Sequence, residues 1–319
     1  MARTADIDEL VGRARAGDPR SVGRLITLVE DGASQLRGLM ATLAPLTGRT
    51  HVVGLTGSPG VGKSTTTSAL VSRYRADNRR VGVLAVDPSS PFSGGALLGD
   101  RIRMQEHATD REVFIRSMAS RGHLGGLASA TPQAVRVLDA AGCDPVLVET
   151  VGVGQSEVEV AGEADTTVVL LAPGMGDGIQ AAKAGILEIG DVFVVNKADR
   201  DGADATAREL RHMISLAPSE QGAWRPPVLK VVATQGTGLP ELVDALSTHR
   251  EWLESSGKGQ LRRRQRARSE IQGIALATLQ ERFAGLGGDG ALEALAGEVA
   301  SGQLDAFTAA DRIVASIAG

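Results

Sequence analysis

The sequence predicts an α/β fold in which a doubly wound, mainly parallel sheet is flanked by helices and carries helical extensions at both ends. Between residues 51 and 253, seven short β-rich runs alternate with helical patterns, as in doubly wound folds. The runs are almost continuously Val, Leu and Ile, which is typical of strands covered on both faces of a sheet. The predicted strands are Val52–Thr56, Val81–Val86, Val113–Ile115, Val146–Glu149, Thr166–Leu171, Val192–Val195 and Val228–Val232.

Helical patterns lie on both sides of this region. Residues 1–44 have helical apolar spacing that is interrupted at Gly17-Asp18-Pro19, with the proline suited to a helix start. Beyond the strands, residues 257–259 resemble a linker, residues 261–283 one helix and residues 291–317 one or two more. The predicted domains are therefore an N-terminal helical extension (1–48), a central domain (49–256) and a C-terminal helical arm (257–319).

The composition excludes several classes of protein. The 319 residues are 42% hydrophobic, and 34 basic against 38 acidic residues give a net charge of −4, so a packed core is expected and nucleic acid is not an expected partner. The single cysteine, Cys143, allows no intrachain disulfide and is interpreted as a small buried apolar residue. We read no signal peptide and no apolar run of about 18 residues, so we expect a cytoplasmic protein without a membrane partner.

A glycine-rich loop follows the first predicted strand and matches the pattern G-x-x-x-x-G-K-[ST] in full. In such loops glycines turn successive N–H groups inward, and these donors meet phosphates at the positive end of the next helix. Lys63 would place its charge on the β- and γ-phosphates, and the Ser64 hydroxyl would bind Mg²⁺. The predicted contacts are Gly57, Ser58, Pro59, Gly60, Val61, Gly62, Lys63, Ser64 and Thr65.

A second motif predicts that the nucleotide is GTP. Asn196-Lys197-Ala198-Asp199 follows an apolar strand and fits N-K-x-D. The two acceptor oxygens of Asp199 suit the paired N–H donors of guanine, which adenine lacks. Lys197 would pack along the base, Asn196 would tie loops together, and the backbone N–H of Ala233 is the candidate donor to the guanine oxygen.

Acidic residues at two further strand ends are candidates for Mg²⁺ and catalysis. Glu149 would face Mg²⁺ and its waters, and the Gly152 N–H would contact the γ-phosphate. Asp87 opens a loop rich in Gly, Ser and Pro, and it is a candidate for binding Mg²⁺ or positioning water. Asp100 is a second, weaker candidate for the same task. The loop would be a switch segment that the γ-phosphate orders.

These motifs together resemble the MeaB/ArgK GTPases of the SIMIBI class of P-loop proteins. The resemblance rests on the segments 57–65, 86–104, 149–157, 173–191 and 196–199 and extends over almost the whole chain. It implies a chaperone-like GTPase for the adenosylcobalamin-dependent methylmalonyl-CoA mutase and a homodimer formed through the C-terminal helical arm. It also implies a switch over 174–185 that couples mutase binding to GTP hydrolysis. Gln180 and Lys183 match its polar positions, and Asp177 lies in the same glycine-rich segment.

Other functions remain open on the residues alone. The same loop could serve a kinase or a GTPase that inserts a metal into enzymes. The resemblance also implies an older description of similar proteins, a kinase linked to lysine/arginine/ornithine transport. No Gln or Arg stands where GTPases usually place one for catalysis, so we expect slow basal hydrolysis that a partner accelerates. The basic run 262–268 is interpreted as the solvated face of a helix.

Overall fold

The computed structural model describes residues 6–32, 34–88, 104–120, 130–150, 162–174, 186–216, 222–285 and 288–318. Within these ranges the seven predicted strands form one all-parallel sheet in the order β3-β2-β4-β1-β5-β6-β7. The predicted α/β fold class is therefore confirmed. The strands are β1 Val52–Thr56, β2 Val81–Pro88, β3 Val113–Ser120, β4 Val146–Thr150, β5 Thr166–Leu171, β6 Val192–Asn196 and β7 Val228–Val231.

Helices cover both faces of the sheet, which explains why its strands read as continuous apolar runs. Strands β1, β4, β5 and β6 are buried at every position. One face packs against the N-terminal helices and the other against α4 and α8. The helices are α1 Ile7–Arg15, α2 Pro19–Glu30, α3 Leu36–Leu43, α4 Lys63–Ala76, α5 Ala130–Ala140, α6 Ile186–Ile189, α7 Ala203–Leu216, α8 Leu239–Ser255, α9 Lys258–Gly285, α10 Gly288–Ala300 and α11 Ala306–Ala318.

The first two helices begin at capped residues, and the predicted start at Pro19 is confirmed. Asp6 and Asp18 accept hydrogen bonds from the first amides of α1 and α2, and Pro19 opens α2, so both helices begin at favoured caps. Arg116 of β3 pairs with Glu30 of α2, which ties this layer to the sheet.

The linker predicted over 257–259 is wrong. Gly257, with φ of +72°, is a turn between α8 and α9, and Lys258 already begins the long helix. The left-handed backbone that glycine tolerates lets one helix end and the next begin without a spacer. The predicted helix over 261–283 is confirmed and extends a few residues at both ends.

Three aspartates line the amino ends of the strands. Each comes one or two residues before its own strand and accepts a hydrogen bond from a neighbouring strand's first amides. Asp165 accepts from Val52 at 3.0 Å, and Asp191 accepts from Thr167 at 2.9 Å. Asp144 accepts from the amide of the residue before β1. Carboxylates therefore satisfy amides that would otherwise lack partners where the sheet begins.

The interpretation of the basic run 262–268 as a solvated helix face is wrong for two of its arginines. Arg262 donates two hydrogen bonds of 2.8 Å to Asp191, and Arg266 pairs with Asp165. Burial alone would raise the pKa of Asp191, but hydrogen bonds from Arg262 and a buried histidine lower it to about 2. The i, i+4 spacing places both guanidinium groups on one side of α9, toward the sheet.

Two buried histidines lie at the same amino ends of the strands. His51 Nε2 lies 2.7 Å from Thr166 Oγ1, which lies 2.7 Å from His249 Nδ1. His249 Nε2 lies 3.3 Å from Asp191 Oδ1. Burial lowers the pKa of His51 to about 4, against the opposing effect of the Asp165 charge. Burial thus favours uncharged His51.

The prediction for Cys143 is confirmed. Its side chain is buried in the apolar layer formed with the N-terminal helices. Burial raises the pKa of the thiol to about 12, so it is a small apolar residue rather than a nucleophile.

The chain divides into two compact units, residues 1–266 and 267–319. In the second unit, α10 and α11 enclose an apolar groove of about 460 Å³ lined by Leu292, Val299, Ala309 and Ile313, among others. No helix within the described ranges combines the length and apolar character needed to cross a membrane.

Candidate nucleotide-binding site

The candidate site lies at the carboxyl ends of β1, β4 and β6. Strand β1 stands between β4 and β5. The chain runs from β1 to β2 and β3 on one side, returns at β4, and continues through β5, β6 and β7 on the other side. In open parallel sheets, such a reversal of strand order creates the crevice in which ligands bind.

The loop after β1 has backbone angles that require glycine. Gly57, Gly60 and Gly62 have φ of +139°, +80° and +97°, values that other residues rarely adopt. A Cβ at Gly57 would collide with the carbonyl oxygen of Leu170, and one at Gly62 with the Asn196 amide nitrogen. Glycine thus allows the loop to approach β5 and the end of β6 closely.

The loop leads directly into helix α4, which begins at Lys63. The Lys63 ammonium donates to the carbonyl oxygens of Gly57 at 2.6 Å and Ser58 at 3.2 Å. A buried ammonium and the amides of a helix N-terminus together form a favourable site for phosphate.

A carboxylate and a hydroxyl meet beside this helix. The Ser64 hydroxyl donates to Glu149 Oε1 at 2.6 Å, and Glu149 is only 3% exposed. Its second oxygen, Oε2, lies 3.1 Å from the Thr67 hydroxyl. The described residues contain no group of three or more His, Cys, Asp and Glu residues that could hold a metal. A serine hydroxyl and one acidic side chain are what nucleotide sites supply to Mg²⁺, whose other ligands are phosphates and waters. The residues present therefore fit Mg²⁺.

Asn196 at the end of β6 connects three parts of the site. Its amide nitrogen donates to the Val61 carbonyl oxygen at 2.9 Å, and its oxygen accepts from the Ala233 N–H at 3.3 Å. One buried side chain thus holds the phosphate loop, the N-K-x-D segment and the loop after β7 together. The proposed donation from the Ala233 N–H to guanine stays a prediction, because that N–H bonds to Asn196 here.

Lys197 has an uncommon backbone conformation. Its φ is +54°, in a left-handed region that is costly for a long side chain. Its ammonium donates to the Gly60 carbonyl oxygen at 2.6 Å, so the side chain spans from β6 to the phosphate loop. Ala198 donates to Val231, and Asp199 is exposed at the end of the segment. This arrangement leaves the Asp199 carboxylate accessible to a base.

Several predicted residues cannot be located from the described structure. The backbone of Asp87 lies at the end of β2, paired with Ala119 of β3, while its side chain is outside the description. Four other predicted residues and one predicted backbone contact lie outside the described ranges: Asp100, Asp177, Gln180, Lys183 and Gly152.

Thr67 is a contact that the sequence analysis missed. It stands three residues after Ser64, on the same side of α4, and its contact with Glu149 depends on β4 lying beside that helix. The spacing of Ser64 and Thr67 is visible in the sequence, but their shared partner Glu149 is not.

Comparisons with known proteins agree with this geometry. The model of the family "Methylmalonyl Co-A mutase-associated GTPase MeaB" matches residues 22–286. A Pyrococcus abyssi protein is 49% identical over 98% of this chain and 97% of its own length. The Escherichia coli protein named GTPase ArgK is 37% identical over 84% of this chain and 83% of its own.

A mouse mitochondrial protein and a solved structure extend the comparison. The Mus musculus protein named Methylmalonic aciduria type A homolog is 36% identical over 79% of this chain and 65% of its own length. The crystal structure of a LAO/AO transport system kinase covers all of both chains with a TM-score of 0.71 and 26% identity. On the family match and these identities, the chain belongs to the MeaB family of methylmalonyl-CoA mutase-associated GTPases.

Proposed function

We propose that this chain binds GTP with Mg²⁺ and hydrolyses it slowly, as a regulatory GTPase that protects and loads an adenosylcobalamin-dependent methylmalonyl-CoA mutase. The observation that carries the nucleotide assignment is the pair of Asn196 hydrogen bonds to Val61 and Ala233. They bring a phosphate loop and a base-reading segment, more than 130 residues apart in the chain, to one side of the sheet.

The residues of the loop would bind the triphosphate. Lys63 would exchange its contacts with loop carbonyl oxygens for contacts with phosphate oxygens, and loop N–H groups would donate to the remaining ones. Both interactions stabilise negative charge that moves during phosphoryl transfer. Gly152 would contact the γ-phosphate through its N–H.

Ser64 and Glu149 would hold Mg²⁺, with Asp87 as a further ligand directly or through water. When bound, Mg²⁺ neutralises charge on the phosphates. Asp87, Asp100 and Glu149 are the candidates for orienting the attacking water.

Asp199 would select guanine. Its exposed carboxylate offers two oxygens to the two adjacent N–H donors of guanine, and charge-assisted bonds of this kind are strong. The Lys197 stem, fixed through Gly60, would lie along the base. Adenine would leave the carboxylate without donors, at a cost in binding.

The helices after residue 266 would form a homodimer. Within the second unit Leu276, Leu292, Phe307 and Val314 are at least half exposed, although such apolar side chains are usually covered. A unit of about 50 residues rarely builds a stable core alone, and association with a second copy supplies one. In this proposal, residues 257–319 form the dimerisation arm.

The mutase role is supported by the family match and by the printed name of the mouse relative. A partner would accelerate hydrolysis by positioning Lys183 or an arginine, through the switch segment that also carries Asp177 and Gln180. Such coupling requires that the partner binds the GTP and GDP states with different affinities.

A kinase is the second candidate, because the solved structure at a TM-score of 0.71 is named a transport system kinase. The two functions differ in the acceptor of the phosphoryl group. Incubation with γ-labelled GTP should release free phosphate and label no protein or amino acid, whereas a labelled acceptor would support the kinase.

The mutase assignment is tested by affinity capture from a native lysate of the source cells. Protein loaded with a non-hydrolysable GTP analogue should retain a cobalamin-dependent mutase, and protein carrying Asp199→Asn should retain less because it binds the analogue poorly. If the protein loaded with the GTP analogue retains no cobalamin-dependent mutase, the proposed role is contradicted.

A further inference from the structure

The acidic residue beside the phosphate loop is a glutamate held at both of its carboxylate oxygens. Ser64 Oγ lies 2.6 Å from Glu149 Oε1, and Thr67 Oγ1 lies 3.1 Å from Glu149 Oε2. Ser64 and Thr67 are one helical turn apart on α4, so their hydroxyls face β4 together. The proposed Mg²⁺ role explains the first contact but not the second.

A glutamate needs such a second contact more than an aspartate does. Its side chain has one more methylene and one more rotatable bond, and fixing it in a single conformation costs more entropy. With one oxygen held, the carboxylate can still rotate about its last bond. A hydroxyl on each oxygen fixes both the position and the plane of the group.

The hydroxyl of Thr67 has one proton and two nearby acceptors. Its oxygen lies 3.0 Å from the Lys63 carbonyl oxygen and 3.1 Å from Glu149 Oε2. The carbonyl bond is common for threonine in helices and needs no functional explanation. A carboxylate is the stronger acceptor, and Thr67 is fully buried, so water does not compete for this proton.

We propose that Thr67 is a positioning residue that orients the Glu149 carboxylate and thereby sets the affinity of the site for Mg²⁺. The inference rests on the proposed Mg²⁺ role of Ser64 and Glu149. It adds a residue outside the phosphate-loop pattern, one turn into the helix.

Thr66 provides a matched control on the same helix. It is equally buried, and its hydroxyl lies 3.0 Å from the carbonyl oxygen four residues earlier, as that of Thr67 does. No hydrogen bond to Glu149 is found for Thr66 in the described structure. Replacing either threonine by valine removes a buried hydroxyl, but only Thr67→Val removes a hydrogen bond to Glu149.

The test measures release of fluorescent mant-GDP from the full-length protein as Mg²⁺ is titrated. Thr67→Val should raise the Mg²⁺ concentration for half-maximal retention by about 10-fold, the size expected from losing one hydrogen bond to a charged group. Thr67→Ser, which keeps the hydroxyl, and Thr66→Val should both stay near the wild-type value. With saturating Mg²⁺, Thr67→Val should bind mant-GDP nearly normally.

A double-mutant cycle distinguishes positioning from a general loss of stability. In a Glu149→Asp background the shorter acid no longer reaches Thr67, so Thr67→Val should add little to the Mg²⁺ requirement. If Thr67→Val is too unstable to measure, Thr67→Ala removes the same hydroxyl with no branched side chain to accommodate.

Two results would overturn the inference in different ways. If Thr67→Val and Thr66→Val have the same Mg²⁺ requirement, Thr67 does not act through Glu149, and the proposed GTPase function stands. If release of mant-GDP from the wild-type protein does not respond to Mg²⁺, the proposed metal site itself fails and the inference fails with it.

Discussion

The two ends of the parallel strands are built from different interactions. At the carboxyl ends, glycines with positive φ, a strained Lys197 and side chains bonded to backbone carbonyl oxygens form loops around the nucleotide site. At the amino ends, aspartates accept from strand amides and pair with arginines of α8 and α9. Both sets have internal partners, but at the carboxyl ends the Asp199 carboxylate is exposed and accessible to a ligand, whereas Asp165 and Asp191 at the amino ends are buried and paired with arginines.

The difference teaches that charge alone does not mark a functional site. Both ends are rich in charged residues, and both have glycines with positive φ, such as Gly48 and Gly142 at the amino ends. At the carboxyl ends, however, such glycines lead directly into the N-terminus of helix α4, where backbone N–H groups favour an anion. Substitutions at the carboxyl ends should therefore affect nucleotide binding and hydrolysis more than the free energy of unfolding. Substitutions at the amino ends should affect the free energy of unfolding more than nucleotide binding.

The largest expected effect is on catalysis. Lys63→Ala should reduce GTP hydrolysis about 100- to 1,000-fold, because it removes a positive charge from the transferring phosphoryl group. Phosphate release under saturating GTP measures the loss, and circular dichroism checks that the fold is retained. Full activity in this variant would contradict the phosphate-loop assignment.

Asp199→Asn should weaken GDP binding roughly 30- to 100-fold, since the amide cannot accept both guanine N–H donors. Competition against mant-GDP measures the change. Asp201→Asn is the matched control, because Asp201 is an exposed acid two residues away. Equal affinities of the two variants would remove the base assignment.

At the amino ends, the stability of the protein should fall as the pH is lowered. His51 has a folded pKa of about 4, below its unfolded value of 6.5, so the unfolded chain binds more protons between these values. Stability is then greatest above pH 6.5 and is lost progressively down to pH 4, by about 2–3 kcal/mol.

Urea unfolding at several pH values measures this dependence. The emission of Trp224 and Trp252 is a suitable signal, because both rings pack against buried His249. His51→Gln should flatten the dependence between pH 6.5 and 4. An unchanged slope in that variant would assign the effect to other groups.

Arg262→Ala should destabilise the protein by about 1–2 kcal/mol, because the guanidinium is partly exposed and Asp191 keeps other donors. Arg264→Ala, at an exposed position of the same helix, should change the free energy of unfolding by less than about 0.5 kcal/mol. Neither variant should alter the affinity for GDP. A large loss of nucleotide affinity in Arg262→Ala alone would mean that the two ends of the sheet are coupled.

Much of the sheet could be predicted because buried parallel strands have a simple apolar signature. The largest difference between a predicted and an observed strand is at β3, which was predicted over Val113–Ile115 and extends to Ser120. Its later residues include Arg116, which pairs with Glu30, and a charged residue with a distant partner does not resemble a buried strand.

The phosphate loop could be predicted because one local pattern contains all its parts. The pairing of Arg262 with Asp191 could not, since it depends on where α9 packs. The contact between Thr67 and Glu149 depends in the same way on the neighbouring strand. Local sequence specifies backbone geometry well, while partners far apart in the chain become visible only in the fold.

The most direct test of the account is a crystal structure of the protein grown with GDP and Mg²⁺. It should show the diphosphate bound by the backbone amides of residues 57–65, Mg²⁺ beside Ser64 and guanine bonded to Asp199. A nucleotide bound elsewhere, with this loop closed by its present contacts to Lys63, would contradict the central claim.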